Sequence, residues 1–93
     1  MVNEIILNGV PIEVINYRKD IQGESVKILF DFHVSSEDYH RITTLLYQMN
    51  FDVEIPEENW MFRGSITNYY TSFTNLYLEG QVGVFHLEIK KDV

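Results

Sequence analysis

Two short apolar runs, Ile5-Ile6-Leu7 and Val10-Pro11-Ile12-Glu13-Val14, flank Asn8-Gly9 near the start of the chain. Asn-Gly supplies the positive φ angles of a two-residue hairpin, so this pattern predicts two strands joined by a tight turn. Pro11 has no amide to donate, which places its strand at a sheet edge or starts the strand after it. Arg18 to Glu24 is polar, contains Gly23 and reads as a loop. Val26 to Val34 then alternates, with Val26, Ile28, Phe30, Phe32 and Val34 on one face and Lys27, Asp31 and His33 on the other. Leu29, on that second face, implies that it is partly covered as well.

The period changes after Val34. Ser35 is a candidate cap, Glu37 and Asp38 suit the positive end of a helix dipole, and Tyr39, Ile42, Leu45, Leu46 and Met49 form an apolar stripe. The stripe predicts one helix over about 35–49, stopped at Asn50, with Glu37 and Arg41 paired one turn apart on its wet face. Phe51 to Ile55 alternates again and ends at the turn-like Pro56-Glu57-Glu58-Asn59. Trp60 to Tyr70 and Ser72 to Leu78 read as strand, interrupted or bulged near Gly64. After a turn at Glu79-Gly80, Val84 to Lys90 directs Phe85, Leu87 and Ile89 inward and His86, Glu88 and Lys90 outward. The expected fold is α+β, with a single helix packed on a mainly antiparallel sheet of about six strands, and a single domain over residues 1–93.

Composition narrows the function classes. The net charge is −7, from 14 acidic and 7 basic residues, and the seven cations are scattered, which argues against nucleic acid as a partner. The chain contains no cysteine, so disulfide, thiolate-metal and thiol redox chemistry are excluded. Its N-terminal residues lack the basic and apolar regions of a signal peptide, and no apolar run approaches ~20 residues. The expectation is a cytoplasmic protein without membrane association.

Against this acidic background, Gly64 to Leu78 carries no charge. Within it Thr67-Asn68-Tyr69-Tyr70 is echoed seven residues later by Thr74-Asn75-Leu76-Tyr77. A polar β-ribbon accounts for such residues. A contact surface accounts for them too, because tyrosine offers broad apolar area and a polar tip at low entropic cost. Seven is odd, so on one unbroken strand the two copies would face opposite sides.

No constellation points to catalysis. Glu37 and His40 stand three apart on the predicted helix, but the carboxylate–histidine pairs of metal bundles need matching residues from other helices, and a solvated face is the simpler reading. His33 and His86 could meet beside Asp31 or Glu88 if their strands were neighbours, yet no ligand spacing argues for a metal. There is no nucleophile elbow and no phosphate-cradling glycine loop. Arg63, the one charge between Glu58 and Glu79, could clamp a ligand carboxylate or pair with an acid of the same fold; the internal pair is the expectation. Trp60 and Phe62 are expected in the core.

From about Ser35 onward the chain resembles the YkvR-like small proteins of bacilli. The resemblance is carried by Ser36-Glu37-Asp38-Tyr39-His40, Leu45-Leu46-Tyr47, Val53-Glu54-Ile55-Pro56-Glu57 and Phe62-Arg63-Gly64 with Ile66-Thr67-Asn68-Tyr69. It continues through Thr71-Ser72, Thr74-Asn75-Leu76-Tyr77, Gly80 and Phe85-His86-Leu87-Glu88-Ile89, about two-thirds of the chain. It implies a bacterial, cytoplasmic α+β domain of unknown function and transfers no catalytic residue.

The reading that follows is a non-enzymatic protein-interaction or assembly module, requiring no cofactor, that docks a protein partner or a second copy through the 64–78 ribbon. Trp60, Arg63, Asn68, Tyr70, Asn75 and Tyr77 are its candidate contact residues. The alternative is a small-ligand binder with Arg63, Trp60 and the tyrosines lining a pocket between helix and sheet.

Overall fold

The structure, a computed structural model, describes residues 2–71 and 82–92. They form one sheet of seven antiparallel strands and one α-helix. In chain order these are β1 (Glu4–Leu7), β2 (Val10–Glu13), β3 (Ile15–Gln22), β4 (Ser25–Ser35), α1 (Tyr39–Leu46), β5 (Asn50–Ile55), β6 (Trp60–Thr71) and β7 (Val82–Lys91), with a single 3₁₀ turn at Pro56–Glu58. The strand order is β2-β1-β5-β6-β7-β4-β3.

That order has a geometric consequence. β2 and β3 lie at opposite edges of the sheet, yet only Val14 separates them in sequence, so the sheet must curl until its edges meet at that end. The Val14 amide donates to the Asn3 carbonyl (2.8 Å) at this junction. Across the concave side, the Tyr17 hydroxyl bonds Glu58 (3.1 Å), and Lys19 pairs with Glu58 (3.0 Å) while lying 4.5 Å above the Trp60 ring. Burial and the Glu58 carboxylate push the Tyr17 phenol far above its ordinary pKa.

The concave side is the core. Ile28, Phe30, Phe32 and Val34 of β4, Phe85, Leu87 and Ile89 of β7, Phe51, Val53 and Ile55 of β5, and Ile5 and Leu7 of β1 are each at most 1% exposed. Alternation in the sequence therefore reports the curl faithfully: every second residue points into one shared interior. α1 packs Ile42, Leu45 and Leu46 onto it. Eight residues are too few to hold a helix in water, so this burial, about 1.5–3 kcal/mol for each large side chain, is what makes the helix persist.

Gly64 owes its place to packing. It has no positive φ; instead, a Cβ there would lie 2.6 Å from Ile89 Cγ2 and 2.9 Å from the Lys90 carbonyl oxygen. The Asn8-Gly9 turn is as expected, with φ of +50° and +82° and Leu7 opposite Val10.

Several expectations change. The sheet has seven strands rather than about six, and Arg18 to Gln22, expected as loop, is the second half of β3. The polar sequence of β3 reflects its position: it is an edge strand, wet on much of its surface, with a register shift between Ile15 and Arg18 and Asn16 at φ +55°. The helix is shorter than 35–49. Ser35 completes β4 and pairs with Val82, so it cannot cap; its hydroxyl bonds Asp38 (3.2 Å) across the intervening turn. Arg41 pairs with Asp38 (3.4 Å) rather than Glu37. Met49 belongs to the turn after the helix, at φ +65° and half exposed. The bulge in β6 falls between Ile66 and Asn68, not at Gly64. The second copy of the repeat, Thr74 to Tyr77, and the strand expected over Ser72 to Leu78 lie outside the described residues.

Candidate functional site

β6 changes character halfway along. From Trp60 to Ser65 it is paired with β5, ending at Asn50 opposite Ser65, and the Ile66 amide makes one last bond to the Met49 carbonyl (2.9 Å). Beyond this, β5 has given way to the helix. Among the described residues, Asn68 to Thr71 are paired with β7 alone, and Thr67 occupies the bulge that precedes them. Thr67 to Thr71 are all exposed and uncharged. An unpaired stretch of strand offers amides and carbonyls for a further strand, and proteins commonly guard such edges with charge. Among the described residues of this edge there is no such charge.

Along the edge runs a groove of about 470 Å³, lined by Tyr39, Thr43, Leu46, Tyr47 and Met49 from α1 and its following turn, and by Ile66, Thr67, Asn68 and Tyr69 from β6. Four consecutive strand residues line it. Alternate residues of a strand point to opposite faces, so the groove follows the edge of β6, opening toward α1 on the concave side and reaching Asn68 at its rim. Among the described residues no charged side chain contributes. Tyr47 and Met49 stand 83% and 51% exposed at its rim. Burial, with the nearby Tyr47 phenol adding to it, raises the Tyr69 pKa.

Behind this edge, on the convex face, sits a polar cluster. His86 Nδ1 is 2.6 Å from Asp31 Oδ1 and its Nε2 is 2.9 Å from Glu88 Oε2. Carboxylates only accept, so both ring nitrogens donate and the ring is an imidazolium. Burial lowers the His86 pKa, but the bonds to Asp31 and Glu88 outweigh it and the result is raised; Glu88 is held low, chiefly by His86, with Lys27 and Asn68 assisting. Asn16 reaches Asp31 (3.1 Å), and Lys27 and Asn68 reach Glu88 (both 3.2 Å). Tyr70 stacks on the imidazolium, ring centroids 4.5 Å apart at 18°. Four strands are thus fastened to one another on the convex face. Its members are partly exposed, and among the described residues no three or more acidic or histidine side chains are grouped to hold a metal ion.

The structure sorts the sequence candidates. Asn68 lies on the groove and bonds Glu88; Tyr70 lies beside it on the convex face. Arg63 makes the expected internal pair, to Asp52 (2.9 Å), and does not line the groove. Trp60 stacks on Phe62 (4.4 Å) and is half-buried against the core, again away from the groove. Asn75 and Tyr77 lie outside the described residues. His33 does not meet His86, because it stands opposite Val84 while Asp31 takes the place opposite His86. The sequence reading missed Tyr39, Thr43, Tyr47 and Met49 as groove residues, since the helical stripe accounted for Tyr39 and Met49 as core.

Residues 4–92 match the sequence model of a family described as protein of unknown function, DUF3219. The chain is 47% identical over 83 residues to the uncharacterised protein YkvR of Bacillus subtilis (strain 168), an alignment covering 89% of this chain and 85% of that one. It also superposes on the solution NMR structure of YkvR from Bacillus subtilis with a TM-score of 0.66 at 41% identity, covering all of this chain and 88% of the other. Among the described residues no helix is long and apolar enough to cross a membrane. With its α+β fold and these matches over nearly its whole length, the chain belongs to the DUF3219 family of YkvR-like bacterial proteins.

Proposed function

We propose that this protein is a non-enzymatic interaction module that captures an extended segment of a partner protein as an additional strand beside β6. The observation that carries the reading is the uncharged, exposed edge after Ile66, where β5 has ended and a groove lies in the vacated lane. Strand addition derives affinity from main-chain hydrogen bonds and specificity from pockets that accept alternate side chains. Both parts are present here: a row of backbone groups and a groove flush with it.

Random heptapeptides displayed on phage and selected on the immobilised chain test this. The binders should shift the amide resonances of Thr67 to Thr71. They should bind at least about tenfold more weakly to a Thr67→Lys/Thr71→Lys variant, whose edge is guarded by charge. Surface changes of this kind alter stability by only about 0.5 kcal/mol, so a loss of binding is not a loss of fold. Selected peptides that shift other regions and ignore the double variant would refute the reading.

A further inference from the structure

The open edge determines which way a docked strand would point its side chains. In a β-ladder, directly opposed residues share a face. Tyr69 and Thr71 oppose Leu87 and Phe85, which point into the core, so they share the concave side with the groove. Asn68 and Tyr70 oppose Glu88 and His86 on the convex side. A strand laid against β6 therefore sends alternate residues toward α1 and the intervening residues out beside Asn68 and Tyr70.

The two lanes differ in chemistry. The concave lane opens on Leu46, Met49, Ile66 and three tyrosines with no charge among them, and its volume of about 470 Å³ seats one or two large side chains. In the convex lane one face of the Tyr70 ring lies against His86. His86 is on β7, so the opposite ring face turns toward the open edge, and Tyr70 is 56% exposed. A free tyrosine face beside a strand edge is a seat for a planar cation, and a guanidinium stacks there better than an ammonium. The net charge of −7 works in the same direction, drawing basic segments in and opposing both acidic partners and a second copy of this chain.

We infer that the partner presents a basic, extended segment in which apolar or aromatic side chains at alternate positions enter the groove, while an arginine between them stacks on Tyr70. The inference rests on strand docking at β6 and specifies what docks there.

Three synthetic heptapeptides test it: alternating valine and arginine with a central phenylalanine, the same composition with valines and arginines in separate blocks, and the alternating peptide with glutamine for arginine. The alternating arginine peptide should shift the amides of Thr67 to Thr71 and the Met49 methyl together, and bind at least about tenfold more tightly than the block peptide. Tyr70→Leu should weaken the arginine peptide several-fold and leave the glutamine peptide unchanged, with circular dichroism melts confirming that the variant folds. If the edge amides shift while the Met49 methyl stays silent, or Tyr70→Leu weakens both alternating peptides equally, this inference falls and docking at the edge stands. If neither these peptides nor phage-selected ones shift Thr67 to Thr71, the docking reading falls with it. A peptide or small aromatic compound that shifts Met49 without the edge amides would overturn the inference by making the groove a separate ligand site. So would a chain that doubles its mass on concentration and loses the dimer in Thr67→Lys/Thr71→Lys, because the occupant would then be a second copy.

Discussion

Replacing His86 by alanine removes two charge-assisted hydrogen bonds and leaves the Asp31 and Glu88 carboxylates without the cation between them. Bonds to charged groups contribute about 1.5–3 kcal/mol each where water is excluded. Here the three side chains are 15–24% exposed, and each carboxylate keeps another partner, Asn16 on Asp31 and Lys27 with Asn68 on Glu88. The combined loss is therefore set nearer one such bond than two, about 2 kcal/mol near pH 5.5, or roughly 10 °C in Tm for a domain of this size. The pH dependence carries the sharper test. His86 has a raised pKa, so its stabilisation is fully present below its ordinary value of 6.5 and is lost as pH rises through the raised value. Glu88 has a lowered pKa, so its contribution is present above its ordinary value of 4.5 and is lost as pH falls through the lowered one. The difference between the natural chain and His86→Ala should peak between about pH 4.5 and 6.5 and shrink on the alkaline side. Urea unfolding of both chains at half-unit pH steps from 4 to 9 measures it. A difference that is flat across pH 5 to 9, or that grows with pH, would show that the ring is not an imidazolium clasped by two carboxylates.

Gly64→Ala should destabilise by about 1–3 kcal/mol in urea unfolding, since the new methyl meets Ile89 and the Lys90 carbonyl and the backbone cannot retreat cheaply. An unchanged midpoint would mean that β6 and β7 are not so closely apposed. Met49→Gly should stabilise by up to about 1 kcal/mol, because methionine at φ +65° pays the left-handed penalty that glycine avoids. It should nonetheless weaken binding of the alternating peptide, and a gain or a loss in both properties would contradict the role given to this side chain. Arg63→Ala should change stability by less than about 0.5 kcal/mol, because its ion pair with Asp52 is largely exposed, and should leave peptide binding intact; a large loss of binding would return Arg63 to the contact surface.

The elements whose residues alternate were legible in the sequence. β5 and β7 bury every second residue, β4 does the same and buries Leu29 on its other face as well, and Asn8-Gly9 announces its turn through φ angles that few other residues adopt. β3 was not legible, because a polar edge strand pairs on one side and buries little, which leaves periodicity nothing to report. The helix start was misplaced because Ser35-Ser36-Glu37-Asp38 has the composition of a cap, while the chain uses Ser35 to finish the ladder with Val82. Composition singled out the uncharged 64–78 ribbon, of which the residues to Thr71 are described, and Asn68 and Tyr70 within it border the open edge. The groove itself depends on where β5 stops relative to β6, a long-range register that local pattern does not encode. The clasp on His86 lay closer to view: outward His86 and Glu88 on one strand and Asp31 on another needed only the knowledge that β4 and β7 are neighbours.

The claim on which the rest depends is that β6 is open after Ile66, and amide hydrogen exchange of the free chain tests it most directly. The amides of Gly64 to Ile66 lie between β5 and β7 and should be protected. Between Thr67 and Thr71, the amides that point away from β7 should exchange at least about a hundredfold faster, and should become protected when the alternating arginine peptide is added. Uniform protection of Thr67 to Thr71 in the free chain would mean that the edge is already covered, and the proposed docking site would not exist.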